Sequence, residues 1–196
     1  MGVTVEKCLQ AWTNSLRQMN AKAEIVFFGD SLTYYGDFSS VFPDKLVCNL
    51  GLRGDTISGM IDRVEQVKLL EPKIVYLMAG INDIASVTLN EFRECYKALV
   101  KVIVDNATDA RVNIFSLLPV NSIDFSISCD SALIPDYNKI IADVAANFNL
   151  QFIDIYSIYE INNILPLEYT LDGIHLKKEA YLKWYNELRE ISYYHI

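Results

Sequence analysis

Histidine is scarce in this sequence. Only two of its 196 residues are histidines, His175 and the penultimate His195. Chain ends fray, so any chemistry that needs an imidazole has one well-placed candidate. The four cysteines, Cys8, Cys48, Cys95 and Cys129, are scattered, with no C-x-x-C pair and no Cys/His cluster. That spacing argues against a structural zinc site and leaves four reduced thiols in apolar surroundings as the expectation. No metal and no organic cofactor is implied. Positive charge is also short: 17 Lys and Arg stand against 25 Asp and Glu, a net charge of -8, and no basic cluster offsets it locally. Nucleic acid and anionic lipid surfaces are therefore poor partners. No apolar run approaches the ~20 residues of a membrane span, so stable membrane insertion is not expected. The N-terminus lacks the basic-then-apolar order of a secretory signal. The chain as given reads as cytoplasmic, or as periplasmic or secreted if a signal peptide has been trimmed; a homodimer is left open. Repeats, low-complexity tracts and linkers are missing too, and residues 1–196 read as one domain.

What is present alternates. Helical apolar spacing from Val5 to Met19 is followed by a strand at about Glu24 to Phe28. A second strand, Lys45 to Leu50, precedes a helical pattern from Thr56 to Leu70 that carries Ile57, Met60, Ile61, Val64 and Val67. Lys73 to Met78 is nearly all apolar, as in a strand buried on both faces. Thr88-Leu89-Asn90-Glu91 is a capping box, and the helix it opens is expected to bury Phe92, Cys95, Tyr96, Leu99, Val100 and Ile103. Arg111 to Leu118 reads as strand four, and Pro119 to Pro135 as a long loop. A helix from about Pro135 to Phe148, strand five from Gln151 to Ile155 and a last helix from about Lys177 to Ser192 complete the chain. Such alternation implies a three-layer α/β/α sandwich on a five-stranded parallel sheet. Ligands bind outside the carboxyl ends of the strands in such sheets, so the residues that follow each strand come next.

After strand one stand Gly29, Asp30 and Ser31; after strand two, Gly51, Arg53, Gly54, Asp55 and Thr56; after strand three, Gly80, Asn82 and Asp83; before the last helix, Asp172-Gly173-Ile174-His175. A serine hydroxyl becomes a nucleophile when a base takes its proton. Histidine is the usual base, and an acid fixes its tautomer and stabilises the imidazolium. Acyl transfer also needs donors facing the oxyanion. Ser31, His175 and Asp172 can fill the first three roles. The Ser31 and Gly54 N–H groups and the Asn82 carboxamide can form the oxyanion hole. Each signal alone has an ordinary structural reading: a strand-ending turn at Gly-Asp-Ser, a turn at Asp-Gly, a helix cap at Asn-Asp. Together, in order and after successive strands, they point to catalysis.

These blocks resemble the SGNH/GDSL hydrolases. Gly29-Asp30-Ser31-Leu32 matches the first family block, "NLGLRGDT" with Gly54 the second, Gly80-Ile81-Asn82-Asp83 the third, and Asp172-Gly173-Ile174-His175 the last. The resemblance implies a flavodoxin-like fold with Ser31 as nucleophile, His175 as base, Asp172 as its orienter, and an oxyanion hole from Ser31, Gly54 and Asn82. Ala79 departs from the family, where a second glycine is common. The lipase elbow G-x-S-x-G is missing, since Thr33 occupies its last position, which argues against the α/β-hydrolase fold.

A small-molecule ester substrate follows, with a short, acetyl-like acyl group on a carbohydrate or another small alcohol. The alternatives are a lysophospholipase or thioesterase, whose longer apolar groove the aromatic residues near Ser31 together with Leu165-Pro166-Leu167 would form, and a non-catalytic flavodoxin-like binding module, which needs no pairing of Ser31 with His175. Around the site, Tyr34, Tyr35 and Phe38 are candidate pocket residues or cover for the sheet edge. Arg53 reads as a ligand for an anionic group or as a surface salt-bridge residue. Asp30 and Asp83 read as loop-holding carboxylates, Asp55 and Thr56 as a helix N-cap, and Asn121 opens the candidate specificity loop that runs to Cys129.

Overall fold

The computed structural model describes residues 5–195. In chain order it contains α1 (Val5–Gln18), β1 (Ile25–Gly29), α2 (Ser31–Tyr34), β2 (Val47–Gly51), α3 (Ile57–Asp62), α4 (Glu65–Leu70), β3 (Ile74–Met78), α5 (Leu89–Asn106), β4 (Arg111–Phe115), α6 (Ile134–Asn147), β5 (Gln151–Ile153) and α7 (Tyr181–His195). The five strands form one sheet in the order β2-β1-β3-β4-β5, and every neighbouring pair is parallel. This is the strand order of flavodoxin-like sheets.

The apolar run of β1 is explained by two cores rather than one. Side chains alternate across a strand, so Val26 and Phe28 enter one cluster while Ile25 and Phe27 enter the other. β3 divides the same way, with Val75 and Leu77 on one face and Tyr76 and Met78 on the other. The layers are unequal. Buried residues from α1 and α3 through α6 cover the first face, whereas α7 and residues 38–42 cover the second. On that second face, Phe38, Phe27, Tyr76 and Phe115 form a continuous line of stacked rings, and Trp184 meets Phe38 and Phe115 edge-on.

Several boundaries differ from the sequence reading. The helix expected over Thr56 to Leu70 breaks after Asp62, because Arg63 turns inward to bind buried groups. β4 and β5 stop early because Ser116 ends the ladder: its Oγ accepts from the N–H groups of Ile155 and Tyr156. α7 begins at Tyr181 rather than Lys177. The Tyr159 hydroxyl sits between Ala180 O, to which it donates at 2.8 Å, and Trp184 N–H, from which it accepts at 3.2 Å, taking the place of a helical bond. Met19 is exposed, while Leu16 is buried as its spacing predicts and Thr13 joins it on the buried face of α1. Cys8 and Cys95 are exposed, so only Cys129 and, in part, Cys48 match the expected apolar setting. The Thr88–Glu91 capping box forms as read. Among the described residues, no helix is long and apolar enough to cross a membrane.

Candidate active site

β1 is the strand at which the chain reverses direction across the sheet, with β2 on one side and β3 on the other. A crevice opens at such a switch point, and Ser31 stands there as the first residue of α2. Asp30 is the N-cap of that turn, its Oδ1 accepting from Leu32 N–H at 2.9 Å. The first turn leaves the Ser31 N–H without an intrahelical acceptor. The short helix lies directly on the end of β2: a Cβ at Gly51 would come within 2.5 Å of Tyr34 Cα. Asn49 then ties the segment down, donating from Nδ2 to Thr33 O at 2.8 Å and Gly36 O at 3.0 Å while its Oδ1 accepts from Gly51 N–H.

His175 arrives from a loop closed by the Thr170–Leu176 bridge. Asp172 organises that loop. Its Oδ1 accepts from the N–H groups of Ile174 and His175 at 3.0 and 2.8 Å, and its Oδ2 lies 2.7 Å from His175 Nδ1. Partial burial raises the Asp172 pKa, but the hydrogen bonds from His175 and Ile174 outweigh it and hold the carboxyl below its usual value. An Nδ1–H donated to Asp172 leaves Nε2 as an acceptor, and Nε2 lies 2.8 Å from Ser31 Oγ. A hydroxyl, an imidazole and a carboxylate thus stand in one hydrogen-bonded line, which is the arrangement that moves a proton off a serine.

Two loops flank the hydroxyl. Gly54, after β2, holds φ +71° with no neighbour within 4 Å of its would-be side chain, a conformation suited to glycine. Asn82, after β3, donates one amide hydrogen to Asp55 O at 2.8 Å; an amide has two, and this bond fixes the direction of the second. Asp83 accepts from Ile57 N–H at 3.1 Å and so joins the two loops. Burial first of all, with the nearby Asp55 charge adding, lifts Asp83 to about 6 against the opposing Ile57 bond. Asp30, wholly buried, is lifted by the same cause to about 7.

Beneath the loops lies a buried ion pair. Arg63 donates to Asp55 Oδ2 at 2.7 Å, to Leu50 O at 2.9 Å and to Gly29 O at 3.0 Å, and its guanidinium lies 4.3 Å from the centroid of the Phe28 ring. It grips the last carbonyls of the two strands that carry the Ser31 and Gly54 loops. Sequence reasoning passed over Arg63, although it falls three residues after Met60 and four before Val67, on the apolar stripe. Asn49 was missed as well, inside a strand with no pattern to mark it.

The structure redistributes the surrounding candidates. Tyr34 and Tyr35 are half-exposed beside the site, and the Tyr35 ring meets the His175 ring edge-on at 5.6 Å. Phe38 is a correction: it is buried against Phe27 at 3.9 Å between centroids, inside the second core. Asn121 is another. It is buried, its side chain bonding to Leu165 O and Asp124 and accepting from the N–H groups of Ile123 and Asp124, while its own N–H donates to Gly173 O and steadies the His175 loop. Arg53 stacks on Tyr35 at 5.7 Å instead of joining a salt bridge. Thr56 caps α3 as expected, whereas Asp55 serves the Arg63 pair. Leu165 is fully buried, and Leu167, two residues on, is exposed.

Known proteins resemble this arrangement. By fold, the chain is similar to a GDSL-like lipase from Bacteroides thetaiotaomicron (20% identity, TM-score 0.75, 98% of each chain covered). It is also similar to the lipase/acylhydrolase from Enterococcus faecalis (23%, 0.71, 85% of this chain and 93% of that one). A third likeness is to an acetyl xylan esterase (21%, 0.70, 85% and 98%). No protein with a curated description matches the sequence. The model of the GDSL-like Lipase/Acylhydrolase family matches residues 27–183, from within β1 into the first turn of α7. A match over that span takes in every loop of the crevice, and the chain belongs to the GDSL-like lipase/acylhydrolase family, a family of carboxylic ester hydrolases.

Proposed function

We propose that the protein is a serine esterase that removes short acyl groups, acetyl foremost, from a carbohydrate or another small alcohol by way of an acyl-enzyme. The observation that carries this reading is the line from Ser31 Oγ to His175 Nε2 at 2.8 Å and from His175 Nδ1 to Asp172 at 2.7 Å. Ser31 Oγ attacks the ester carbonyl as His175 takes its proton, and Asp172 stabilises the imidazolium. The carbonyl oxygen becomes an oxyanion facing the N–H groups of Ser31 and Gly54 and the free amide hydrogen of Asn82. His175 returns the proton to the departing alcohol. It then takes a proton from water, whose oxygen attacks the acyl-enzyme, and gives it back to Ser31 as the acid leaves.

Two features favour a short acyl group. His175 and Asp172 keep 31% and 53% of their side-chain surface exposed, so the reacting carbonyl sits in an open site that does not enclose a long chain. Leu165, one of the residues proposed from sequence to shape a groove for longer chains, is buried, whereas Leu167 stays exposed. The fold likeness to an acetyl xylan esterase agrees with this preference. Hydrolysis of p-nitrophenyl esters from acetate to decanoate, with Ser31→Ala as control, tests the reading. Rates that fall with chain length and vanish in the variant are expected. Rates that rise toward decanoate transfer the protein to lysophospholipase or thioesterase chemistry. Equal, negligible rates in both proteins remove the esterase reading and favour the binding module.

A further inference from the structure

A groove of about 610 Å³ opens beside the catalytic residues, between the segment after α2 and the flank of α7. That volume lies in the range of small-molecule sites, ~300–1,000 Å³. Its near end is formed by Tyr35, whose ring packs on His175, and by Leu176, the residue after His175. Tyr181, Leu182 and Tyr185 continue its apolar wall along α7. Their placement is fixed from beneath. Tyr181 donates to Leu32 O at 2.7 Å, next to the nucleophile, and Tyr185 Oη accepts from Asp37 N–H at 2.6 Å. The rim carries two acidic side chains, Asp37 and Glu179, and two basic ones, Lys178 and Arg189.

Resting on the esterase reading above, we infer that this groove is the subsite for the alcohol half of the ester, and that the alcohol is a neutral carbohydrate. The position follows from the proton's route. His175 must hand its proton to the departing oxygen, so the alcohol leaves on the imidazole's side, and the groove begins at Tyr35, whose ring meets that imidazole, and at Leu176, the next residue in the chain. The carbonyl oxygen faces the Gly54 and Asn82 loops, and the acyl substituent takes the remaining direction at the attacked carbon. The chemistry follows from the lining. A sugar has an apolar C–H face, which packs on the exposed Tyr35 ring and Leu182, and a hydroxyl edge, which donates to carboxylates and accepts from an ammonium group. A fatty chain in the same place would strip water from four charged groups and return no hydrogen bonds. Two acidic and two basic groups together favour neither an anionic nor a cationic occupant.

The test compares kcat/KM of wild type, Leu182→Trp and Glu179→Ala on acetylated cellobiose, on ethyl acetate, and on ethyl esters from acetate to octanoate. Leu182 is 55% exposed, so the larger ring fills the groove without entering the core. The expected result is at least a tenfold fall in the ratio of cellobiose acetate to ethyl acetate in Leu182→Trp, and a smaller fall in Glu179→Ala. The acyl-length profile should keep its wild-type shape in both. A changed acyl-length profile with an unchanged alcohol ratio would assign the groove to the acyl chain and overturn the inference. Wild-type ratios throughout would overturn it as well, with the esterase reading intact. A wild-type protein that hydrolyses none of these esters would overturn the esterase reading, and the subsite with it.

Discussion

Replacing Arg63 with methionine is the most direct probe of what holds the crevice together. Methionine fills much of the same volume but removes the buried guanidinium and its bonds to Asp55, Leu50 O and Gly29 O. Both partners of the ion pair are nearly inaccessible, with 2% and 5% of their side chains exposed. Solvent therefore cannot replace the lost partner, and Asp55 is left as an uncompensated buried charge. Breaking a buried pair from one side costs about 3–5 kcal/mol. Gly29 O keeps the N–H of Leu52 as a second donor, which limits the backbone share of the loss. For a chain of this size each kcal/mol shifts Tm by about 2–4 °C, so Arg63→Met should melt about 6–20 °C below wild type. Adding Asp55→Asn removes the stranded charge while keeping an acceptor for Thr56 N–H, and should recover about 2 kcal/mol of the loss, part of the penalty of an unpaired buried charge. Thermal and urea unfolding of the two singles and the double measure this. A shift below about 1 kcal/mol in Arg63→Met, or a double variant no more stable than the single, would refute the account.

Asp30 gives a pH-dependent prediction. Its folded pKa of about 7 lies above the unfolded value of ~3.9, so the unfolded chain gives up the proton first as pH rises. Stability is therefore lost between about pH 4 and 7, by at most roughly 4 kcal/mol at 1.36 kcal/mol per unit. Asp30→Asn keeps an acceptor for Leu32 N–H and cannot ionise, so its Tm relative to wild type should climb from pH 5 to pH 8; a constant difference would count against the burial argument. Asn82→Ala should lower kcat by about 10²–10³ with KM little changed, as for loss of one oxyanion donor. Steady-state kinetics on a short-chain ester would expose the error if kcat stays near wild type.

Much of this protein was decided by its sequence. Alternating apolar runs separated by amphipathic stretches dictate a parallel sheet with helices on its faces, because β1 and β3 must bury both sides. Glycine and short polar residues directly after those strands mark the sheet end that faces a ligand. With one histidine away from the last two positions, Ser31, Asp172 and His175 could be picked out as candidates in one dimension, and the fold brings the three into one hydrogen-bonded line. Gly54 and Asn82 were legible as residue types able to donate hydrogen bonds.

Other features depended on the tertiary structure, because they depend on which strands become neighbours and which way a loop side chain turns. The order β2-β1-β3 puts the Gly54 and Asn82 loops on either side of Ser31, and no local pattern encodes a strand order. Phe38 and Tyr35 lie three residues apart in one polar-flanked stretch, yet Phe38 joins a ring stack built by β1, β3 and β4 while Tyr35 stays beside His175. Asn121 looked like a loop residue free to meet substrate, but Leu165 and Gly173, distant in sequence, claim its side chain and its N–H. The groove beside His175 exists because Tyr35 and Tyr181 are brought together at the turn that carries Ser31. Contacts between segments so far apart in the chain are fixed by the closing of the core, not by any pattern within either segment.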